Sequence, residues 1–169
     1  VISERKRNRL TDYDYSQPGA YFITVCTQNQ QCILSSIVGG DAHIAPYPKL
    51  TTVGKTVEKY LQGIPGVGEY VIMPNHIHLL INIHENGPSG TSVPTELVCV
   101  ENKLSNSPQH SVISRFISTF KRFCNKEIKK SIWQMRSFDH IIRDESDYEF
   151  HIKYIRENND LLVLTSRGY

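Results

Sequence analysis

An α+β fold, with an antiparallel sheet carrying two helices on one face and a further helix at the C-terminus, is predicted by three features of the sequence. Short stretches rich in β-branched and aromatic residues recur along the chain, and segments with a helical apolar period lie between them. Clusters of Pro, Gly and Asn separate the two kinds. At 169 residues and 39% hydrophobic content the chain is long enough for one packed domain spanning 1–169.

The elements follow in order. Residues 20–28 (AYFITVCTQ) come after Pro18-Gly19 and read as the first strand. Residues 35–50 hold Gly39-Gly40, Pro46 and Pro48 and read as loop. Thr51 and Thr52 open a helix with Val53, Val57, Tyr60 and Leu61 on one side, ended by Gly63 and Pro65. A second strand is expected from about Glu69 to Met73. Pro74-Asn75 then marks a tight reversal or bulge, and His76 to His84 is the third strand. Residues 85–108, with Gly87, Pro88, Gly90, Pro94 and Pro108, form a long loop, a length usually functional or disordered. A long amphipathic helix is expected from about Gln109 to Lys130, burying Ile113, Phe116, Ile117, Phe120, Phe123 and Cys124. Ser137 to Arg143 suits a fourth strand, and a last helix runs from about 144 to 159 with acidic residues at its start. The order β-α-β-β-α-β is that of the ferredoxin-like, split βαβ arrangement, and the C-terminal helix is extra.

Composition excludes several classes. No apolar run approaches the ~20 residues of a membrane-spanning helix, and the basic, Asn-rich N-terminus is unlike a signal peptide. Val1 is not a natural start, so a few residues are expected to precede it. The four cysteines form no CxxC pair, which points to reduced thiols and a cytoplasmic setting. The net charge of +2 hides an asymmetry. Residues 1–9 carry Arg5, Lys6, Arg7 and Arg9 against Glu4, a net of +3 on an arm spanning about 1–12. Residues 115–136 carry seven cations, among them Arg115, Lys121 and Arg122, against Glu127, which leaves the remainder of the chain at −7. Such concentration suits a polyanion, and ordinary solvated faces are the alternative.

Two segments carry candidate chemistry. Alternation in the third strand puts Ile77, Leu79, Ile81 and Ile83 on a core face and His76, His78, Leu80, Asn82 and His84 on the other. Two imidazoles at i and i+2, with Cα atoms roughly 6.5–7 Å apart, can converge on one ion or one phosphate. Two half-exposed polar residues are the bland alternative, but in the expected fold their sheet face is uncovered and leaves room for a substrate. A histidine-triad nucleotide hydrolase needs a third histidine where this chain has Leu80. On the last helix Tyr154 and Asn158 stack at i and i+4, with His151 one turn earlier and Tyr148, Ile152 and Ile155 as the packing stripe. A phenol beside an amide oxygen suits a nucleophile and a metal ligand; a packed amphipathic tyrosine is the alternative.

Met73-Pro74-Asn75-His76-Ile77-His78-Leu79-Leu80 resembles the HUH motif (histidine, hydrophobic, histidine) of single-tyrosine transposases. Ile132-Trp133-Gln134, Phe138-Asp139-His140-Ile141-Ile142-Arg143-Asp144, Tyr154-Ile155-Arg156-Glu157-Asn158 and the N-terminal Tyr13 to Phe22 resemble, in order, the REP-associated tyrosine transposases. The likeness covers most of residues 10–160, and Asn159 stands where the family has proline. The resemblance implies a single-strand DNA endonuclease and strand transferase. Tyr154 is then the nucleophile, forming a 5′-phosphotyrosine, and His76, His78 and Asn158 hold a divalent metal, Mg²⁺ or Mn²⁺. The implied partner is single-stranded DNA with a palindromic hairpin, held by the arm of Arg5, Lys6, Arg7 and Arg9 and by Arg115, Lys121 and Arg122. Related single-tyrosine transposases are dimers that share sites, whereas the REP-associated branch need not be, so monomer and homodimer both stay open. Two other readings remain: a metal-dependent phosphodiesterase without a covalent intermediate, and a catalytically retired hairpin-binding module.

Overall fold

The computed structural model describes residues 17–39, 47–84 and 111–160. The expected basic arm and the loop at 85–108 lie outside these residues. The described chain forms strands β1 (Gly19–Cys26), β2 (Ser35–Val38) and β3 (Tyr47–Leu50), helix α1 (Thr52–Gln62) and strands β4 (Val67–Ile72) and β5 (His76–Ile83). Helix α2 (Val112–Ile128), strand β6 (Phe138–Ile141) and helix α3 (Glu145–Asp160) follow.

One four-stranded sheet has the order β4-β5-β1-β6, and every neighbouring pair in it is antiparallel. β1 and β5 are the inner strands, and β1 alternates cleanly: Tyr21, Ile23 and Val25 are fully buried, while Phe22, Thr24 and Cys26 are half-buried on the other side. α1 and α2 cover the first face. Val57 and Leu61 from α1, and Ile113, Ile117, Phe120 and Cys124 from α2, join Ile77, Leu79, Ile81 and Ile83 in one apolar cluster. A hydroxyl caps the N-terminus of both α1 and α2. Thr51 Oγ1 accepts the Gly54 N–H at 3.0 Å, and Ser111 Oγ accepts the Ser114 N–H at 3.2 Å. Gly54 is required for close approach: a Cβ there would collide with the carbonyl of Leu34. Phe116 and Phe123, expected in the stripe of α2, are only half-buried.

Two expectations are corrected. Residues 35–50 are not simply loop, because β2 and β3 pair as a separate two-stranded sheet, Ser35 opposite Leu50 and Val38 opposite Tyr47. Pro48 fits there because a two-stranded ribbon has two edges, where the missing N–H costs no ladder bond. The face carrying the histidines is also not open. Helix α3 lies against it, burying Val71, Leu80 and Ile155 with Phe22, Met73, Ile142, Tyr148 and Ile152 around them. The cause is Leu80 itself, a fully buried side chain among the polar residues of that face, which demands an apolar cover. Pro74-Asn75 forms the tight reversal between β4 and β5, with Met73 N–H donating to His76 O at 2.9 Å. The register shift falls earlier, between Val67 and Tyr70.

Candidate functional site

The reversal before β5 is held on both sides. Leu34 N–H donates to Pro74 O at 3.0 Å, and both the N–H and the hydroxyl of Thr27 donate to Asn75 O, at 2.9 and 3.0 Å. His76 therefore leaves a rigid turn. From it, alternation brings His76 and His78 to the α3 side, where their Nε2 atoms lie 3.0 Å apart. On the next strand Thr24 is the register partner of His78, and its Oγ1 is 2.8 Å from His78 Nδ1. His76 Nδ1 is 2.7 Å from Asn75 Oδ1.

These distances set the protons. An amide oxygen only accepts, so His76 Nδ1 carries its hydrogen and His76 Nε2 presents a lone pair. Without an ion, His78 Nε2–H donates to that lone pair and His78 Nδ1 accepts from the Thr24 hydroxyl. With an ion, both Nε2 lone pairs are needed. The Thr24 hydroxyl can accept as readily as it donates, so His78 can move its proton to Nδ1 without losing a bond. The spacing also fits: two nitrogens about 2.1 Å from an ion and at right angles are about 3.0 Å apart. Burial keeps the pair neutral. It lowers the pKa of His76, and burial followed by the nearness of His76 and His151 takes that of His78 down to about 4.

Tyr154 descends from α3 onto this pair. Its ring meets His78 edge-on with centroids 5.3 Å apart, and meets Phe22 at 5.9 Å. Phe22 is the hub, stacked on His78 at 5.2 Å and tilted against His151 at 4.5 Å. Ile155, the next residue, is buried in the small cluster under α3, which fixes the helix's rotation. Asn158 is half-buried and its Nδ2 donates to Tyr154 O at 2.9 Å, a bond back to its own helix.

The structure thus brings His76, His78 and Tyr154 together and turns the Asn158 amide N–H₂ onto its own helix. Arg115, Lys121 and Arg122 lie on α2, the layer across the sheet from Tyr154. Lys121 Nζ donates to the carbonyls of Gln134 and Met135 at 2.9 and 3.3 Å, and Arg122 lies 5.5 Å from the Phe123 ring centroid. Arg5, Lys6, Arg7 and Arg9 fall outside the described residues. Sequence reasoning missed Thr24 and Phe22. Alternation puts both on the site's face, but their pairing with His78 comes from register across 54 residues. Asn75 was visible as part of the motif, though not as the acceptor for His76.

No protein-family model matches the chain. A protein of Haemophilus influenzae (strain ATCC 51907 / DSM 11121 / KW20 / Rd), described only as "uncharacterized protein", is 30% identical over 166 residues, covering 93% of this chain and 89% of its own length. The chain belongs to that protein's family. A second protein of the same strain, described as "Putative REP-associated tyrosine transposase", is 23% identical over 147 residues, 86% of this chain and 72% of that one. Among solved structures, a REP-associated tyrosine transposase bound to a REP hairpin matches with a TM-score of 0.52 and 19% identity, over 93% of this chain and 72% of that one. At that identity the likeness shows a shared fold. No described helix of this family member is long and apolar enough to cross a membrane.

Proposed function

We propose that the chain is a single-strand DNA endonuclease and strand transferase acting on hairpin-bearing DNA, with its sheet in the ferredoxin-like arrangement. The observation that carries this is the convergence of Tyr154 on His76 and His78 from an element added after the sheet is complete. The solved neighbour of like fold is bound to a REP hairpin, and the more distant sequence relative is named for the same activity, which supports the choice of substrate.

In this reading Tyr154 Oη attacks the scissile phosphorus. The phenol gives up its proton as an Oη–P bond forms, the bond from phosphorus to the 3′-oxygen breaks, and that oxygen takes up a proton, so the strand leaves with a free 3′-OH. The product is a 5′-phosphotyrosine, whose retained phosphoester energy allows the reverse attack by another 3′-OH. A divalent cation, Mg²⁺ or Mn²⁺, on the two Nε2 atoms would supply Lewis-acid polarisation of the phosphate oxygens. Asn75 and Thr24 orient the imidazoles for it, and Asn158 would complete the ligand set by turning its amide oxygen from helix to site. Phe22 holds His78 and Tyr154 in register and helps exclude water. The basic arm Arg5, Lys6, Arg7 and Arg9 would neutralise phosphates, with Arg115, Lys121 and Arg122 a second, separate stripe across the sheet.

The test is a denaturing gel of the protein incubated with labelled hairpin single-stranded DNA and Mn²⁺. A covalent adduct that disappears in Tyr154→Phe and on chelation is the expected result. Cleavage without an adduct, unchanged in Tyr154→Phe, would replace this reading with a phosphodiesterase. The Asn158 bond to its own helix favours a second reading, a hairpin-binding module that no longer cleaves. That reading predicts tight hairpin binding with neither cleavage nor adduct.

A further inference from the structure

A second cluster of ligating groups stands at the far edge of the same sheet face. His140 lies on the edge strand β6, Asp147 in the first turn of α3, and His151 one turn later. One ligand atom from each lies within 4.8 Å of the other two. Asp147 bridges the histidines: Oδ2 is 2.9 Å from His140 Nε2, and Oδ1 is 3.1 Å from His151 Nδ1. The two imidazoles stack at 4.7 Å with planes 24° apart.

We propose that His140, Asp147 and His151 form a divalent metal site, distinct from the His76–His78 pair, that clips α3 to β6. Three arguments support it. The donor set of two imidazoles and one carboxylate suits Zn²⁺ and related transition ions. Each imidazole already stands 2.9 to 3.1 Å from an Asp147 oxygen, and one ligand atom from each residue lies within 4.8 Å of the others, so small side-chain rotations bring the three donors around one ion. The carboxylate is already oriented, because Arg143 N–H donates to Asp147 Oδ2 at 3.1 Å and the Asp147 N–H is tied to Asp144 Oδ1 at 2.9 Å. Outer hydrogen bonds of this kind aim a ligand before the ion arrives. The site is also accessible, since the His140 side chain is 48% exposed.

Binding would displace the protons now shared between the imidazoles and their oxygen partners, including the contact of His151 Nδ1 with Asp147 O at 2.8 Å. A neutral imidazole keeps its proton by moving it to the ring nitrogen that faces away from the ion, whereas a protonated one must first lose a proton, so affinity should fall as the pH drops. The consequence for the molecule is mechanical. His151 precedes Tyr154 by less than one turn, so an ion here would fix the tyrosine helix against the sheet edge without touching the reacting atoms.

The experiment uses the full tag-free chain without DNA, so its outcome is independent of the proposed DNA chemistry. Zn²⁺ is titrated by calorimetry, and Co²⁺ by visible absorption, into the wild type, His140→Ala, Asp147→Asn and the His76→Gln/His78→Gln double variant. His140 is exposed, and Asp147→Asn keeps the shape of the side chain, so both should fold. The expected result is one ion fewer in each of His140→Ala and Asp147→Asn, and an ion retained in the double histidine variant. At about 100-fold excess over the dissociation constant, that ion should raise the thermal midpoint by about 5–8 °C in the wild type and not in His140→Ala. An unchanged ion count in His140→Ala and Asp147→Asn, or loss of all ions in the double variant, would overturn the proposal.

Discussion

The two faces of β5 are built from alternate residues of one strand and obey different rules. Ile77, Leu79, Ile81 and Ile83 lie under α1 and α2 with at most 6% of their surface exposed, and no polar side chain interrupts the stripe. On the other face His76, His78 and Asn82 are polar, and Leu80 is the one aliphatic residue among them. The first face is held by area alone. The second is held by a small apolar cluster at Leu80 and by a relay of bonds from Asn75 through His76 and His78 to Thr24. In the proposed reading, a strand gives its stability to one face and its chemistry to the other, provided something covers the second face. Here α3 does that and brings Tyr154 with it.

The sharpest test of this division is Tyr154→Phe. Only the Oη is lost, and packing on Phe22 and His78 stays. Adduct formation should fall by more than about 10³-fold, with hairpin affinity and thermal midpoint unchanged. A fall in midpoint by several degrees would mean that the hydroxyl serves the fold.

The next test compares two adjacent leucines, both fully buried. Leu79→Ala opens a cavity in the large cluster and should cost about 3–5 kcal/mol in denaturant unfolding. Leu80→Ala should cost about 2–3 kcal/mol, because a three-residue cluster under one helix collapses more easily. Leu80→Ala should also lose activity out of proportion to stability. Equal costs with equal activity would erase the distinction between the faces.

Much of the first face was legible in the sequence, and less of the second. Period-2 alternation at Ile77–Ile83 needs no partner to be read, and neither does the helix start at Thr51. The histidine pair and Tyr154 stood out through the family resemblance, because a His-x-His on a strand and one tyrosine among nine are not specific alone. What the sequence hid was relational. Thr24 is an ordinary strand threonine until register sets it against His78, and Phe22 looks like any aromatic of a central strand. The cover by α3 went unread although its apolar stripe of Tyr148, Ile152 and Ile155 was evident, since a stripe does not say which surface it meets. The ribbon of β2 and β3 was masked by glycine and proline, which mark turns more strongly than four-residue strands mark themselves.

The polar face also predicts a pH dependence. His78 titrates near 6.5 in an unfolded chain and at about 4 when buried in the fold, so the folded state resists its protonation. It costs no stability above about pH 6.5, and the cost grows as the pH falls toward 4. Between pH 7.5 and 4.5 the wild type should lose about 2–3 kcal/mol more than His78→Gln does, read from urea midpoints. Equal losses would place the acid sensitivity elsewhere. Within the relay, Asn75→Ala removes the acceptor that keeps the His76 Nε2 lone pair turned toward His78. Mn²⁺ affinity at the pair should drop about 10- to 100-fold with little change in midpoint, measured by titration in the His140→Ala background.

The smallest effect expected is at the outer side of α3. Arg156 Nη2 lies 2.7 Å from Glu69 Oε1 and links the helix to β4, so on distance alone it looks like a strong tie. The two side chains are 64% and 42% exposed, however, and water and salt compete for both charges. Arg156→Ala should therefore cost about 0.5 kcal/mol or less, and less still in 0.5 M salt. Ile155, its neighbour, turns inward and is 1% exposed. Ile155→Ala should cost several times more. If Arg156→Ala proved the costlier of the two, α3 would be held to the sheet by charge rather than burial. The second face would then owe nothing to the cluster at Leu80.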